Sequence, residues 1–490
     1  MGEAKTALLI CGHWRESGEL TDWLLDEDVE VHVIPELCHH FDFPRLLAGR
    51  EIRRLILGLC REGSSIGELQ TQARKVGLDP LGVEIVSLNG NGIERSKVLL
   101  AGALARARAF KGSKPENAKL YLSSRISRRS LLRLSLTEYR AVPSVDQGIC
   151  AAGSECSLCV SVCPQSALEW SDGILGHDRS RCEPCGLCVT ACPRGAVIDP
   201  ACTPAQLEAQ IRTLLSVGYS DPRGIVFLCQ QSPEPKAASG WMPVKLPCVG
   251  MATPTWILAP LLLGAGAVAV LSCQRSCPTS QSRAIKQGVA FCREFLRLIG
   301  APEDLVMLNP ALEEPPREGR GTVPLEDPYS HKAHANVLTK LASEYGRSRV
   351  ILEHPLSPVG VVEIRDDACT ACGMCAATCP TSALTHEEGE EGVTLSFDAG
   401  ECVACGLCLS KCPERGRGAI ILHKIVNLEL LSQGRMPVYV ERMARCIACG
   451  APIASAKMLG RLEELLGSEH APVMPLISSH CMDCRVMAHG

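Results

Sequence analysis

Short apolar runs recur along the chain in two sets with the same rhythm. The first set is "TALLIC" (6–11), "VEVHVIPELC" (29–38) and "IRRLILGLC" (52–60); the second is "GIVFLC" (224–229), "MPVKLPC" (242–248) and "AVAVLSC" (267–273). Such runs, alternating with helix-like stretches such as "SQSRAIKQGVAFCREFLRLIG" (280–300), predict parallel sheets with covering helices. Every one of these strands ends in cysteine, and in parallel sheets the carboxyl ends of the strands face the ligand crevice. The longest apolar run, "WILAPLLLGAGAVAVLS" (256–272), is interrupted by Pro260, Gly264 and Gly266 and falls short of the roughly 20 residues of a spanning helix. It reads as a buried helix, a turn and a buried strand, so no membrane span is expected.

Polar, turn-rich segments carry the second pattern. A C-x2-C-x2-C-x3-C-P run occurs at Cys182, Cys185, Cys188, Cys192 and Pro193, at Cys369, Cys372, Cys375, Cys379 and Pro380, and at Cys402, Cys405, Cys408, Cys412 and Pro413. A fourth copy keeps Cys156, Cys159, Cys163 and Pro164, with its first cysteine displaced upstream to Cys150. Thiolates converging from one tight loop can wrap an iron-sulfur cube, and Gly373 and Gly406 let backbone N–H groups approach the sulfurs. The turn-bearing segments "EWSDGILGHD" (169–178) and "THEEGEEGVTLSF" (385–397) predict a small hairpin within each pair of runs.

These segments resemble bacterial-type two-cluster ferredoxin domains, in which the fourth cysteine of each run ligates the neighbouring cluster. The resemblance implies four 4Fe-4S clusters, held by Cys150, Cys156, Cys159 and Cys192; by Cys182, Cys185, Cys188 and Cys163; by Cys369, Cys372, Cys375 and Cys412; and by Cys402, Cys405, Cys408 and Cys379. In the second sheet, Cys229, Cys248 and Cys273 are expected to converge at one end, joined by Cys277, in a tetrathiolate set suited to a 2Fe-2S cluster. Residues 221–310 resemble the small iron-sulfur (delta) subunit of methyl-viologen-reducing hydrogenase, a family that carries a 2Fe-2S cluster and passes electrons from a hydrogenase or formate dehydrogenase to heterodisulfide reductase.

Residues 1–140, with "CGHW", "ELCHH" and "LGLCREGSS", resemble the N-terminal domain of the heterodisulfide reductase flavoprotein subunit. That resemblance implies a further cluster, for which Cys11, Cys38 and Cys60 are the candidate ligands, with His13, His39 or His40 as a substitute fourth partner. No FAD is expected: a ferredoxin pair stands where the flavin domain would follow, and "GAGAVA" from Gly264 precedes a strand instead of following one.

At the C-terminus, "RCIACG" and "HCMDCR" supply Cys446, Cys449, Cys481 and Cys484 on either side of the helix-like "IASAKMLGRLEELLG" (453–467). Structural zinc is favoured there over a fifth cubane, because the C-x2-C-x2-C loop is missing. Cys202 and Cys292 fit no set and read as packing residues, and the Pro- and Gly-rich stretch 312–330 reads as an exposed connector.

The fold class expected is multidomain, combining α/β and α+β parts. The order is an α/β domain at 1–140, a two-cluster ferredoxin domain at 141–205, a 2Fe-2S α/β domain at 220–311, a linker at 312–345, a second two-cluster ferredoxin domain at 346–426 and a four-cysteine zinc-type module at 427–490. The formal charge of -4 over 490 residues points to neither nucleic acid nor an anionic membrane. The basic stretch "SSRISRRSLLRLSLTEYR" (123–140) reads as a solvated face or subunit contact. Twenty-nine cysteines in clusters favour metal ligation in a reducing compartment over disulfides, and with no secretory signal visible the expected location is cytoplasmic.

With no flavin fingerprint, phosphate loop or nucleophile elbow, the chain reads as an electron-transfer subunit of a multi-subunit oxidoreductase, with no catalytic residue of its own. The family resemblance implies as partners a hydrogenase, a formate dehydrogenase or other molybdenum or tungsten enzyme, a flavoprotein, or heterodisulfide-reductase-like subunits. Two other classes are weighed: an iron-sulfur or zinc redox sensor, and a self-contained reductase acting at an open N-terminal cluster.

Overall fold

The computed structural model of the protein describes residues 5–21, 29–38, 52–60, 66–112, 118–122, 137–150, 156–171, 173–218, 222–230, 232–273, 282–389, 392–466 and 474–488. The chain divides into two compact units, Met1–Ala152 with Ser157–Ala333, and Gly153–Cys156 with His334–Gly490. Both are mixtures of helix and strand, and parallel sheets are confined to the first among the described residues. No helix among these residues is long and apolar enough to cross a membrane.

In the first unit, β1 (Lys5–Cys11), β2 (Val29–Ile34), β3 (Ile52–Leu59) and β4 (Val83–Ser87) form a parallel sheet in the order β2-β1-β3-β4. On one face Ala7, Leu9, Leu55 and Leu57 bury against Leu69 and Ala73 of α1 (Ile66–Lys75). Toward the other face, Gly58 makes room for Leu100 of α2 (Ile93–Ala109), whose Cδ2 lies 3.6 Å from where a Cβ would stand. Burial of both faces is why these strands are almost continuously apolar.

α2 packs in turn on α3 (Pro204–Ser216), with Gly102 at the crossing: a Cβ there would meet Leu214 at 2.7 Å. α3 begins with a capping box between Thr203 and Gln206, and Pro204 fits the first helical turn, where its missing N–H costs nothing. Arg106, only 7% exposed, gathers this region. It donates to Glu84 of β4 and to Gln210 of α3, both at 2.9 Å, and also to the Ala201 carbonyl.

The second parallel sheet comprises β5 (Gly224–Cys229), β6 (Trp241–Leu246), β7 (Ala267–Val270) and β8 (Val306–Leu308), in the order β6-β5-β7-β8. The long apolar run is indeed a buried helix, α4 (Pro254–Leu262), turned into β7 through Gly264 at φ +101°. α5 (Ser282–Ile299) buries Ile285, Val289, Phe295 and Leu296 and exposes Arg283 and Lys286. The stretch expected as an exposed connector is held down at several points. Trp241 Nε1 donates to the Glu314 carbonyl at 2.8 Å, Leu312, Leu325 and Tyr329 are buried, and His334–Glu344 is helical.

In the second unit, β9 (Leu384–Glu388) and β10 (Gly392–Phe397) form the hairpin expected at 385–397. β11 (Met436–Arg445) and β12 (Pro452–Ser455) extend it into one antiparallel sheet in the order β9-β10-β11-β12, followed by α6 (Ala456–Leu466). The C-terminal segment therefore continues the sheet of the second cysteine-rich pair. The hairpin expected at 169–178 pairs Leu168–Ser171 with Ile174–His177 in the first unit.

Candidate metal centres

Each cysteine run of the second pair folds as a loop ending in a one-turn helix, Met374–Ala377 or Leu407–Ser410. Gly373 and Gly406 precede these helices at φ +73° and +76°, the left-handed backbone that glycine adopts without Cβ strain. Ala371 (φ +54°) and Ala404 (φ +49°) take the same conformation two residues after the first cysteine of each run. Their N–H groups point back at that cysteine: Ala371 N donates to Cys369 Sγ at 3.4 Å, and Ala404 N donates to Cys402. In the first pair, Ala167 N and Ala196 N donate to Cys163 and Cys192 Sγ at 3.3 and 3.2 Å. Such N–H···S bonds favour negative charge on the sulfur.

The structure brings Cys369, Cys372, Cys375 and Cys412 together around one cavity, closed by apolar Ile364, Leu395 and Ile420. Three of these thiols belong to one run and the fourth to the next. Burial, and after it the neighbouring sulfurs of Cys369, Cys372 and Cys412, push the Cys375 thiol up to about 12. The other foursome behaves alike: burial pushes Cys402 to about 12 with Cys405 and Cys379 adding to the rise, and Cys408, buried among Cys402, Cys405, Cys375 and Cys379, also reaches about 12. Thiols held that high stay protonated at neutral pH unless a cation takes the proton's place. Four cysteine sulfurs around a largely apolar cavity, supplied with backbone N–H donors, fit an iron-sulfur cluster; Glu414, also in the lining, has its carboxylate engaged by Arg461 and Arg417.

The first pair is arranged similarly in part. Cys159 and Cys192 are buried with Leu168, Leu175 and Val197, and Cys150 packs at the edge of that group. Cys163 and Cys182 share a second small cluster with Val142 and Ala167. Burial raises Cys185, and the Cys163 sulfur adds to the rise; burial likewise raises Cys188, with Cys185 and Cys182 contributing. Cys156 is grouped with the second compact unit.

Both cysteine-rich segments match the family model of the 4Fe-4S dicluster domain, over residues 154–196 and 368–415. The chain carries two such domains. No curated protein matches the chain. The second match takes in both cysteine runs and the first takes in all of its two runs except Cys150, each with the hairpin between, so these are iron-sulfur binding loops, the equipment of electron transfer.

Among the described residues, two further groups gather three or more metal-ligating atoms within 4.8 Å of one another. One is Cys446, Cys449, Cys481 and Cys484, where the Cys449 and Cys481 sulfurs are 3.5 Å apart. Backbone donation from Cys481, then from Cys449 and Ala448, lowers Cys446 to about 6. His480 turns to Ser479, with Nδ1 2.8 Å from its Oγ. The other group is Cys11, His13, Cys38 and Cys60. His39 and His40, the alternative fourth partners, lie outside the described residues.

In the second parallel sheet, Cys229 ends β5, while Cys248 and Cys273 lie just past β6 and β7, so all three stand at the same edge. Cys229 Sγ donates to the Pro247 carbonyl at 3.6 Å, and Cys248 Sγ accepts from Gly250 N at 3.3 Å. Cys277 lies outside the described residues. Cys202 and Cys292 are both fully buried, Cys292 donating to the Pro254 carbonyl at 3.4 Å.

Sequence reasoning missed three contributors. Ala371 and Ala404 lack the glycine signature of a left-handed backbone. The third is a brace on the Cys369 loop, where Ser455 Oγ donates to the Thr370 carbonyl at 2.6 Å and Tyr439 OH to the Cys369 carbonyl at 3.3 Å. The only sequence signal for the brace is the alternation of "PVYVE" (437–441).

Proposed function

We propose that the protein is an iron-sulfur electron-transfer subunit of a multi-subunit cytoplasmic oxidoreductase. It relays electrons between a catalytic partner and another acceptor through four 4Fe-4S clusters and a 2Fe-2S cluster. The observation that carries this reading is the convergence of Cys369, Cys372, Cys375 and Cys412 on one cavity inside a segment that matches the dicluster family. The clusters supply one-electron chemistry when bound. The chain's own residues hold the sulfurs apart, exclude water with Ile364, Leu395 and Ile420, and aim N–H groups such as Ala371 N at the thiolates. The ligand sets are those named from the sequence, with Cys229, Cys248, Cys273 and Cys277 for the 2Fe-2S cluster and Cys446, Cys449, Cys481 and Cys484 for structural zinc. The partner is a hydrogenase, a molybdenum or tungsten enzyme such as formate dehydrogenase, or a flavoprotein.

The test is iron and acid-labile sulfide analysis with EPR on the anaerobically purified full chain, combined with identification of co-purifying subunits. About sixteen cubane irons plus about two more are expected, with reducible signals and a redox enzyme bound. A folded, assembly-competent protein free of iron and sulfide would overturn the reading.

A further inference from the structure

The N-terminal group consists of residues far apart in sequence. Cys11 closes β1, His13 sits in the turn after it, Cys38 follows β2 and Cys60 follows β3. β1 lies between β2 and β3, so parallel pairing alone brings the carboxyl ends of three neighbouring strands to one edge. The turn is tight: Gly12 N donates to the Ile34 carbonyl at 2.8 Å, and a Cβ on Gly12 would meet Pro35 Cα at 2.9 Å. Backbone N–H groups of His13 and Cys38 donate to the Cys11 sulfur, drawing both loops onto it. Cys11 is fully buried, Cys38 and Cys60 are half-buried, and His13 is exposed.

The distances discriminate between occupants. The Cys11 and Cys60 sulfurs are 3.3 Å apart, His13 Nδ1 is 3.2 Å from Cys38 Sγ, and all four donor atoms lie within 4.8 Å of one another. Tetrahedral bonds of about 2.3 Å to sulfur and about 2.0 Å to nitrogen hold donors roughly 3.5–3.8 Å apart. A cubane puts each ligand on a different iron at a separate corner, which spreads the sulfurs. The molecule contains its own control: among the described residues, the dicluster thiols are not drawn into such a group, whereas the paired C-terminal knuckles are.

We propose that Cys11, His13, Cys38 and Cys60 bind one tetrahedral zinc-class ion, instead of an iron-sulfur cluster, and that this ion staples the carboxyl ends of β1, β2 and β3. Three thiolates and one imidazole form a closed structural zinc set with no open position for substrate. Zinc has no redox chemistry, so the N-terminal sheet is a docking or structural element and contributes no electron-carrying centre. The self-contained reductase reading thereby loses its reaction centre.

The test uses the anaerobically purified full chain and measures zinc, iron and acid-labile sulfide together in wild type, Cys38→Ser, His13→Ala and His13→Cys. Wild type should hold about two zinc ions, one N-terminal and one C-terminal. Cys38→Ser and His13→Ala should each lose one zinc with iron and sulfide unchanged. His13→Cys should keep both, and in cobalt-substituted protein should shift the visible d–d envelope toward that of an all-thiolate site. Loss of about four irons and their sulfide in Cys38→Ser would overturn the assignment, as would a zinc content that none of the variants changes. The iron and EPR signals of the dicluster domains are read separately, so failure of the relay and failure of the zinc staple are distinguishable.

Discussion

The dicluster loops and the two tight donor groups use the same ligand, cysteine, to opposite geometric ends. Around the cavity of the second dicluster domain, Cys369, Cys372, Cys375 and Cys412 face a common space, three from one loop and one from the next. At Cys446, Cys449, Cys481 and Cys484, and again at Cys11, His13, Cys38 and Cys60, the donors crowd within 4.8 Å. The difference lies in where the donors come from. The dicluster loops use left-handed residues at Ala371, Gly373, Ala404 and Gly406 to spread sulfurs around a hollow. The tight groups bring together short turns from separate elements. Cysteine count alone therefore does not distinguish a cluster from an ion; spacing in three dimensions does.

The sharpest way to break this comparison is to remove one sulfur of each kind. Cys375→Ser should cost about four irons and about four sulfides, with partial loss of the reducible EPR signal, whereas Cys449→Ser should release one zinc and no sulfide. Equal iron loss from both would show that the tight C-terminal group also holds a cluster. A smaller effect is expected from the glycines. Gly373→Ala forces a Cβ into left-handed backbone and to 3.0 Å from the His386 ring, and should destabilise by roughly 2 kcal/mol in chemical denaturation. Gly450→Ala, also left-handed but facing open space, should cost roughly 1 kcal/mol.

A pH dependence is expected just after the first dicluster segment, at Asp199. Asp199 is 1% exposed, and Oδ2 has no hydrogen-bond partner; burial pushes its carboxyl up to about 6 despite donation from Ala201 N and the charge of Arg106. Because the folded value lies above the usual 3.8, the stabilising contribution is complete below that value and is lost as the pH rises through about 6. Denaturation midpoints should fall between about pH 4 and about pH 7, and Asp199→Asn should flatten that segment of the profile.

Much of this was legible from spacing. The C-x2-C-x2-C-x3-C-P runs are local, their loops are built by their own residues, and the two family matches fall on them. The strands "TALLIC" and "GIVFLC" were equally readable, because burial on both faces keeps them almost continuously apolar, Thr6 being the exception. His13 was one of three candidate histidines, since the choice depends on which turn meets Cys38, and one-dimensional spacing carries no such information. Strand β11, "MPVYVERMAR", escaped notice because its charged residues mask a half-exposed ten-residue strand whose partner lies about forty residues upstream. Arg106 was invisible for the same reason: its partners Glu84, Ala201 and Gln210 belong to three distant segments.

The placement of β11 in the interior of its sheet bears on how the molecule can be cut. A fragment ending at residue 426 would retain both cysteine runs of the second dicluster domain but strip the hydrogen-bonding partner from Gly392–Phe397. The bared edge would offer unpaired N–H and C=O groups to any neighbouring fragment, inviting chain-to-chain association. An expression boundary for this half of the protein belongs after the last knuckle, not between the ferredoxin-like loops and the tail that finishes their sheet.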